Sequence, residues 1–232
     1  MKKILVFQYF NCNLPSRAAE LETCILHNIS IGFDEIIIFN DSVEPAFFQK
    51  NIKNIESNRR LTYRDYVDIL RDQDNFGSFI VLTNTDIKLD DEILRLGDII
   101  KPIDFIALSR HEANGAIAPN PAITQDTWAM LSQPLPPTIV HQSGIPLGMP
   151  GCENRFSEII FSAGHRVFNP SLDIKNQHIQ AIPSVHKFEE KMFGAILSIP
   201  PCRIDQISNC NPDEFPTPYY LPCFADHLIS IG

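Results

Sequence analysis

Short apolar segments alternate along the chain with longer segments in which apolar residues recur at steps of three and four. The short segments predict buried strands at 4–9, 35–39, 79–83 and 104–108, and the periodic ones predict helices at 18–29, 62–71, 90–96 and 153–163. Strands and helices that alternate in this way are typical of an α/β fold. We therefore expect a Rossmann-like domain with a mostly parallel central sheet and helices on both faces.

Prolines interrupt this pattern in two places. Between residues 109 and 150 they recur so often that we predict a long loop with little regular structure, of the kind that serves as a lid. Between residues 196 and 232 they predict a Pro-rich C-terminal extension that packs on the same domain. The domain itself is then expected to span residues 1–195.

The charge of the chain narrows the range of partners. Its 232 residues carry a formal net charge of −9, which disfavours nucleic acid and anionic membranes because a polyanion would be repelled. The apolar run after the N-terminal MKK is too short for a signal peptide or a membrane span. We expect a cytoplasmic protein with no transmembrane segment, in which a metal ion or a few arginines would hold any phosphate-bearing ligand.

Polar residues follow two of the predicted strands at the point where each strand ends. Asp41 comes directly after the second strand, and Asn84 and Asp86 come after the apolar run 79–83. The carboxyl ends of parallel strands form the edge where open α/β sheets bind ligands, and carboxylate oxygens suit a hard divalent cation. The alternative is that these residues only form turns, since Asn and Asp are common there.

Several segments in this order resemble the GT-A-fold glycosyltransferases, which use nucleotide-diphosphate sugars as donors. The similar segments are EIIIFNDS at 35–42, RRLTYRDY at 59–66, FIVLTNTDI at 79–87, GMPGCENRF at 148–156 and FNPSLDIKNQH at 168–178. The resemblance covers residues 3 to 180, and it implies a single GT-A domain. Two positions depart from the family pattern: Asn84 stands where the first acidic residue of the DxD motif is expected, and the acidic pair near 153 is reduced to Cys152-Glu153.

The resemblance implies a set of residues that bind the donor. Asp41 would bind the nucleoside, and Asn84 and Asp86 would form the DxD-like site. Asp86 and His178 would ligate Mn²⁺ or Mg²⁺, a mixed oxygen and nitrogen site that suits either ion. A single histidine is otherwise more often a hydrogen-bonded structural residue.

Two arginines are candidates for the diphosphate. Arg60 and Arg64 are spaced one helical turn apart, and a guanidinium binds phosphate through two hydrogen bonds. The alternative for both is a solvated helix face. Arg17, near the start of the first predicted helix, has a similar interpretation.

The acceptor side has two candidate general bases. Glu153, at the start of a predicted helix, would remove the proton from an attacking hydroxyl, and Asp126 is its rival. A carboxylate at a helix start also stabilises the helix, and this is the alternative for Glu153. Trp128 could stack on an acceptor sugar, although a buried core position is the alternative, and Asn154 would bind the acceptor beside Glu153.

These observations predict a metal-dependent glycosyltransferase that moves a sugar from a nucleotide-diphosphate donor to a glycan or other hydroxyl acceptor, as in polysaccharide assembly. A sugar nucleotidyltransferase is the first alternative, but it needs a Gly-rich loop after the first strand, and residues 10–17 contain no glycine. A non-catalytic module that binds a nucleotide sugar or a glycan is the second alternative.

Overall fold

The computed structural model describes residues 1–41, 47–180, 196–208 and 218–221. The strands are β1 (Lys3–Tyr9), β2 (Glu35–Asn40), β3 (Ile52–Glu56), β4 (Phe79–Thr83), β5 (Ile87–Lys88), β6 (Asp104–Ser109), β7 (His111–Glu112), β8 (Gln125–Leu131), β9 (Arg166–Phe168), β10 (Gln177–His178), β11 (Ile196–Ser198) and β12 (Tyr219–Leu221). The helices are α1 (Pro15–Ser30), α2 (Tyr63–Arg71), α3 (Ile93–Leu96), α4 (Pro137–Gln142), α5 (Cys152–Ser162) and α6 (Ile204–Ser208).

Within the described residues, seven strands form a central sheet in the order β3-β2-β1-β4-β8-β6-β9. The pairs β3-β2, β2-β1, β1-β4 and β6-β9 are parallel, whereas β8 is antiparallel to both of its neighbours. The sheet is therefore mixed: four of its six strand pairs are parallel, as expected of a mostly parallel sheet, and the antiparallel pairing of β8 was not predicted. Every strand of this sheet except β8 ends at the same edge, and β8 begins there.

The segment predicted as a proline-rich loop contains regular structure. Strand β8 lies inside it and is buried along nearly its whole length, because it pairs with β4 on one side and β6 on the other. Helix α4 also lies inside it and begins at Pro137, where a proline needs no backbone donor. The prediction of a long irregular loop over 109–150 is therefore wrong for these two elements.

The core consists of two apolar layers, one on each face of the central sheet. The first layer joins α2, α4 and α5 to the sheet through large side chains, among them Tyr63, Tyr66, Trp128 and Phe156. The second layer joins α1, α3 and α6 to the opposite face. Helices thus cover both faces of the sheet, as the alternation of strands and helices predicted.

A small three-stranded sheet lies beside the carboxyl edge of the main sheet. Its order is β5-β10-β7, and β10 pairs antiparallel with β5 so that His178 lies opposite Ile87. The backbone N–H of Ile179 donates to the carbonyl of Asp86 at 2.9 Å. This pairing brings two segments that are distant in sequence, one with Asp86 and one with His178, to the same place.

The C-terminal extension is described only in part. Strand β11 pairs with β12 in a separate two-stranded sheet, and residues of β11 and α6 are buried in the core. The rest of the predicted Pro-rich extension, 209–217 and 222–232, lies outside the described residues. None of the helices in the described ranges is long and apolar enough to cross a membrane.

Candidate active site

A cavity of about 450 Å³ lies at the carboxyl edge of the sheet, a size typical of a small-molecule site. Its wall includes residues from the ends of β1, β2 and β4, the start of α1, and two loops. Among the lining residues are Gln8, Arg17, Asp41, Arg59, Arg60, Asn84, Asp86, Gly148 and Gln180. The polar strand ends that the sequence singled out therefore share one cavity with several arginines.

Asp86 is held between a guanidinium and an imidazole. Its Oδ2 accepts a hydrogen bond from Arg17 Nη2 at 2.5 Å and lies 3.3 Å from His178 Nε2. Burial by itself would raise the pKa of Asp86, but the hydrogen bond and charge of His178, together with the charge of Arg17, hold that pKa below its usual value. Asp86 is therefore ionised at neutral pH, so its carboxylate can pair with a guanidinium or a metal ion.

Asp86 and His178 are the two predicted metal ligands, and the structure brings them together. Their donor atoms are 3.3 Å apart, so both can reach one ion. Across the described part of the chain no cluster of three or more His, Cys, Asp or Glu side chains could hold a metal. An ion held by these two side chains would have to take its remaining ligands from phosphate oxygens and water, as Mg²⁺ commonly does at nucleotide sites.

Asp41 lies where the sequence predicted it, at the end of β2 and on the cavity wall. Its Oδ1 accepts a hydrogen bond from the backbone N–H of Asn11 at 3.0 Å, which ties the end of β2 to the chain that follows β1. The side chain is exposed, so its second oxygen can accept from a ligand in the cavity.

Arg60 lines the cavity, but it does so from an extended segment. Helix α2 begins only at Tyr63, so the predicted helical spacing between Arg60 and Arg64 does not exist. The Nη1 of Arg60 donates to the carbonyl of Leu147 at 3.0 Å. Next to this contact Gly148 has a φ of +72°, and a Cβ there would lie 3.3 Å from the same nitrogen, so glycine lets the loop approach the arginine.

Arg64 does not reach the cavity, which corrects its assignment to the donor site. Its side chain is 41% exposed, and its Nε donates to Asp68 Oδ1 at 2.8 Å. Its Nη1 donates to the carbonyl of Val140 at 3.1 Å, on α4. Arg64 lies in the first turn of α2, where it faces the neighbouring helix α4 and the solvent.

Asn84 and Asp126 meet across the paired strands β4 and β8. Asn84 Nδ2 donates to Asp126 Oδ1 at 2.7 Å, and its backbone N–H donates to the carbonyl of the same residue at 3.1 Å. The other carboxylate oxygen of Asp126 accepts from Arg110 Nη1 at 3.0 Å. Both oxygens of Asp126 thus accept a hydrogen bond, one from Asn84 and one from Arg110.

Glu153 lies in the first turn of α5, close enough to Asp126 and Arg110 for their charges to shift its pKa. The pKa of Glu153 is raised to about 7, mainly by burial and to a smaller extent by the negative charge of Asp126, against opposing effects of Cys152 and Arg110. Burial thus outweighs the helix N-terminus, which alone would lower the pKa. Glu153 has the pKa expected of a general base that works near neutral pH.

Two predicted acceptor residues are occupied elsewhere. Trp128 is 1% exposed and packs edge to face on Tyr63 at a centroid distance of 5.0 Å, so it is a core residue and offers no face to a sugar. Asn154 is buried, and its Nδ2 lies 3.3 Å from the carbonyl of Ile123 and 3.5 Å from Gln125 Oε1. Neither residue lines the cavity.

Three charged residues in or near the site were absent from the predicted set. Arg59 lines the cavity and makes a two-pronged ion pair with Asp65, at 2.8 and 2.6 Å. Glu20 binds Arg17 at 2.9 Å. Arg110 follows β6 directly, so the rule that singled out Asp41 and Asn84, a polar residue immediately after a buried strand, would have found it too.

No protein-family model matches the chain, and no curated protein matches it. Among solved structures, the chain is similar to one from Desulfovibrio desulfuricans G20 that is provisionally named a nucleotide-diphospho-sugar transferase. The two chains are 10% identical, with a TM-score of 0.49. The match covers 73% of this chain and 80% of the other.

Proposed function

We propose that the protein is a glycosyltransferase that takes a sugar from a nucleotide-diphosphate donor and transfers it to a hydroxyl acceptor, with a divalent ion at the diphosphate. The observation that carries the proposal is the cavity at the carboxyl edge of the sheet, which Arg17 and Asp86 line, with His178 in contact with Asp86. This is the edge where nucleotides bind in open α/β sheets, and these side chains match the charge of a diphosphate and its counter-ion.

The donor would lie along the cavity with its nucleoside toward Asp41 and its diphosphate toward Asp86. Arg59 and Arg60 line the same cavity and add positive charge beside the diphosphate. Asp86 and His178 would hold Mn²⁺ or Mg²⁺, which neutralises the charge that develops on the leaving diphosphate. The parts of the donor would thus follow the strand ends in order, from β2 to β4.

The reaction also needs a group that accepts a proton. The acceptor oxygen forms a bond to the anomeric carbon while the bond from that carbon to the diphosphate oxygen breaks, and the hydroxyl proton must go to a base. Glu153 suits this role because its pKa is about 7. Asp126 suits it less, since Asn84 and Arg110 occupy both of its carboxylate oxygens.

Asp126 would instead act as a positioning residue. It connects Asn84 on the cavity wall to Arg110, and its negative charge contributes to the raised pKa of Glu153. Neither Asp126 nor Glu153 lines the cavity itself. The acceptor would therefore bind on the far side of Asn84, next to the donor cavity.

The test is a binding screen followed by a transfer assay. The protein is heated with UDP, GDP and a panel of nucleotide sugars, each with and without Mn²⁺, and the unfolding temperature is measured. A ligand at 100 times its Kd stabilises the folded state by about 2.7 kcal/mol, which gives a clear shift. Nucleotide sugars that stabilise the protein are then incubated with simple sugar acceptors, and the released diphosphate is measured.

We expect stabilisation by one class of nucleoside diphosphate and its sugars, larger with Mn²⁺ than without. Release of diphosphate that depends on an acceptor would establish transfer. Stabilisation with no turnover on any acceptor would favour the non-catalytic binding module. No stabilisation by any nucleotide or nucleotide sugar would contradict the proposal.

A further inference from the structure

Arg17 occupies the oxygen of Asp86 that a metal ion would also use. Its side chain is 15% exposed, and its Nη2 donates to Asp86 Oδ2 at 2.5 Å. His178 Nε2 approaches the same oxygen, at 3.3 Å. Both hydrogen bonds described for this carboxylate thus fall on Oδ2, and one of the two partners carries a permanent positive charge.

A second set of contacts anchors the other end of the guanidinium. Arg17 Nη1 donates to Glu20 Oε2 at 2.9 Å, one turn along α1, and to the carbonyl of Ile179 at 3.1 Å. Nη1 is therefore attached to the helix and to the chain beside β10, whereas Nη2 reaches into the cavity. The Nη1 contacts do not involve Asp86, so they do not depend on which partner Nη2 binds.

We infer that Arg17 is an exchangeable counter-ion: it holds Asp86 before the donor arrives and moves its Nη2 to the diphosphate when a divalent ion takes Asp86. This inference rests on the proposed function and goes beyond it, because it assigns Arg17 two successive partners. The physical reason is repulsion. A divalent cation on Asp86 and a guanidinium on the same oxygen are like charges a few ångströms apart in a half-buried site.

The exchange would couple metal binding to donor binding. Without a diphosphate, Nη2 of Arg17 pairs with Asp86 and competes with the metal ion for its oxygen. With a diphosphate present, the phosphate oxygens offer the guanidinium another acceptor, and Asp86 becomes available. Each ligand then strengthens the binding of the other, as linkage requires.

The test compares Arg17→Gln with Arg64→Gln. Both changes remove one guanidinium that is paired with an aspartate and bonded to a backbone carbonyl, but Arg64 lies outside the cavity. Binding of Mn²⁺ alone is measured by electron paramagnetic resonance of the free ion. Binding of UDP and GDP at saturating Mn²⁺ is measured by calorimetry, and the unfolding temperature of each variant is recorded.

We expect Arg17→Gln to bind Mn²⁺ alone at least about 5-fold more tightly than Arg64→Gln, because the competitor is gone, and to bind the nucleoside diphosphate at least about 10-fold more weakly. Equal or weaker binding of Mn²⁺ in Arg17→Gln, including no binding in either variant, would overturn the inference. A wild-type protein that binds Mn²⁺ but neither UDP nor GDP would contradict the proposed function, and the Mn²⁺ titration would still decide the exchange at Asp86.

Arg17→Lys provides the second variant if Arg17→Gln does not fold. Lysine keeps the positive charge beside Asp86 but lacks the two-pronged guanidinium. Mn²⁺ alone should therefore bind as weakly as in wild type, while affinity for UDP or GDP falls. Tighter binding of Mn²⁺ in Arg17→Lys than in wild type would contradict competition by charge.

Discussion

Asn84 donates a hydrogen bond to Asp126 at 2.7 Å, from the end of one strand to the start of its antiparallel neighbour. This single contact joins the wall of the cavity to Asp126, whose negative charge acts on Glu153. The first position of the segment that resembles a DxD motif is thus occupied by a residue that binds another protein side chain. Asn84 is neutral and can donate to a carboxylate, which an aspartate at this position could do only if protonated.

Asp86→Asn should abolish the part of nucleotide binding that depends on Mn²⁺. The amide keeps the shape of the side chain but removes the charge that the ion requires, so the gain of about 2.7 kcal/mol at 100 times Kd should disappear. Thermal unfolding with UDP or GDP, with and without Mn²⁺, measures this. Asp68→Asn is the matched control, because Asp68 also pairs with an arginine but lies exposed on α2.

Equal Mn²⁺-dependent shifts in Asp86→Asn and in wild type would remove Asp86 from the metal site. A folded Asp68→Asn protein that lost the shift as well would point to an effect of net charge rather than of position.

Glu153→Gln should lower turnover by at least about 10²-fold and leave the affinity for donor within a few-fold. The glutamine cannot accept the proton, and general-base catalysis contributes about 10²–10⁴-fold. Initial rates at saturating donor and acceptor give the turnover number, and calorimetry gives the donor Kd. Glu158→Gln, five residues further along the same helix, serves as the control. An unchanged turnover number would show that Glu153 is not the base.

Glu153 should also make the stability of the fold depend on pH. Its pKa in the folded protein is raised to about 7, so the folded state favours the neutral carboxyl relative to the unfolded chain. The stability is fully present below the ordinary pKa of a glutamate and is lost as the pH rises to about 7. The wild-type protein should therefore lose at most about 3 kcal/mol between pH 4.5 and pH 8 from this residue.

In Glu153→Gln that loss should be absent. Urea unfolding of both proteins across this pH range gives the difference in free energy of unfolding, and the mutant should gain on wild type as the pH rises. A difference that stays constant with pH would mean that the carboxyl is solvated and titrates at its usual pKa.

Asp126→Asn should act mainly on the Michaelis constant for the acceptor. The change weakens the contact with Arg110 and removes the negative charge beside Glu153, so the pKa of Glu153 should fall and the rate should rise at a lower pH than in wild type. The pH profile of kcat/KM measures the shift. A loss of turnover as large as that of Glu153→Gln, with no displacement of the profile, would reassign the base to Asp126.

The strand ends could be read from the sequence because they need only local information. A buried apolar run that stops at Asp41 or Asn84 marks the carboxyl end of a strand. In a parallel sheet these ends all lie at the same edge, so their position follows without knowledge of the strand order. The placement of Asp86 beside His178 could not be predicted from local information alone. It depends on the pairing of β5 with β10, and it came from the resemblance to a family rather than from the pattern.

The direction of β8 could not be predicted because it depends on partners far away in sequence. Prolines on both sides of residues 125–131 made the segment resemble a loop, whereas two neighbouring strands stabilise it as a buried strand. The same limit explains Trp128, whose burial follows from that strand. The pairing of Arg64 with Arg60 was wrong for a local reason. Helix α2 begins at Tyr63, so Arg60 lies outside it and the two arginines do not share one helix face.

The antiparallel strand β8 also decides how this protein can be divided. Thr127 lies opposite Thr83 of β4 on one side and opposite Leu108 of β6 on the other, so a single strand connects the two parts of the sheet. The two sides of the cleft therefore cannot be exchanged between proteins as separate modules by a cut between residues 84 and 124. A chimaera with a boundary there would take the two sides of one strand ladder from different parents, and both halves of the cleft would lose their shape together.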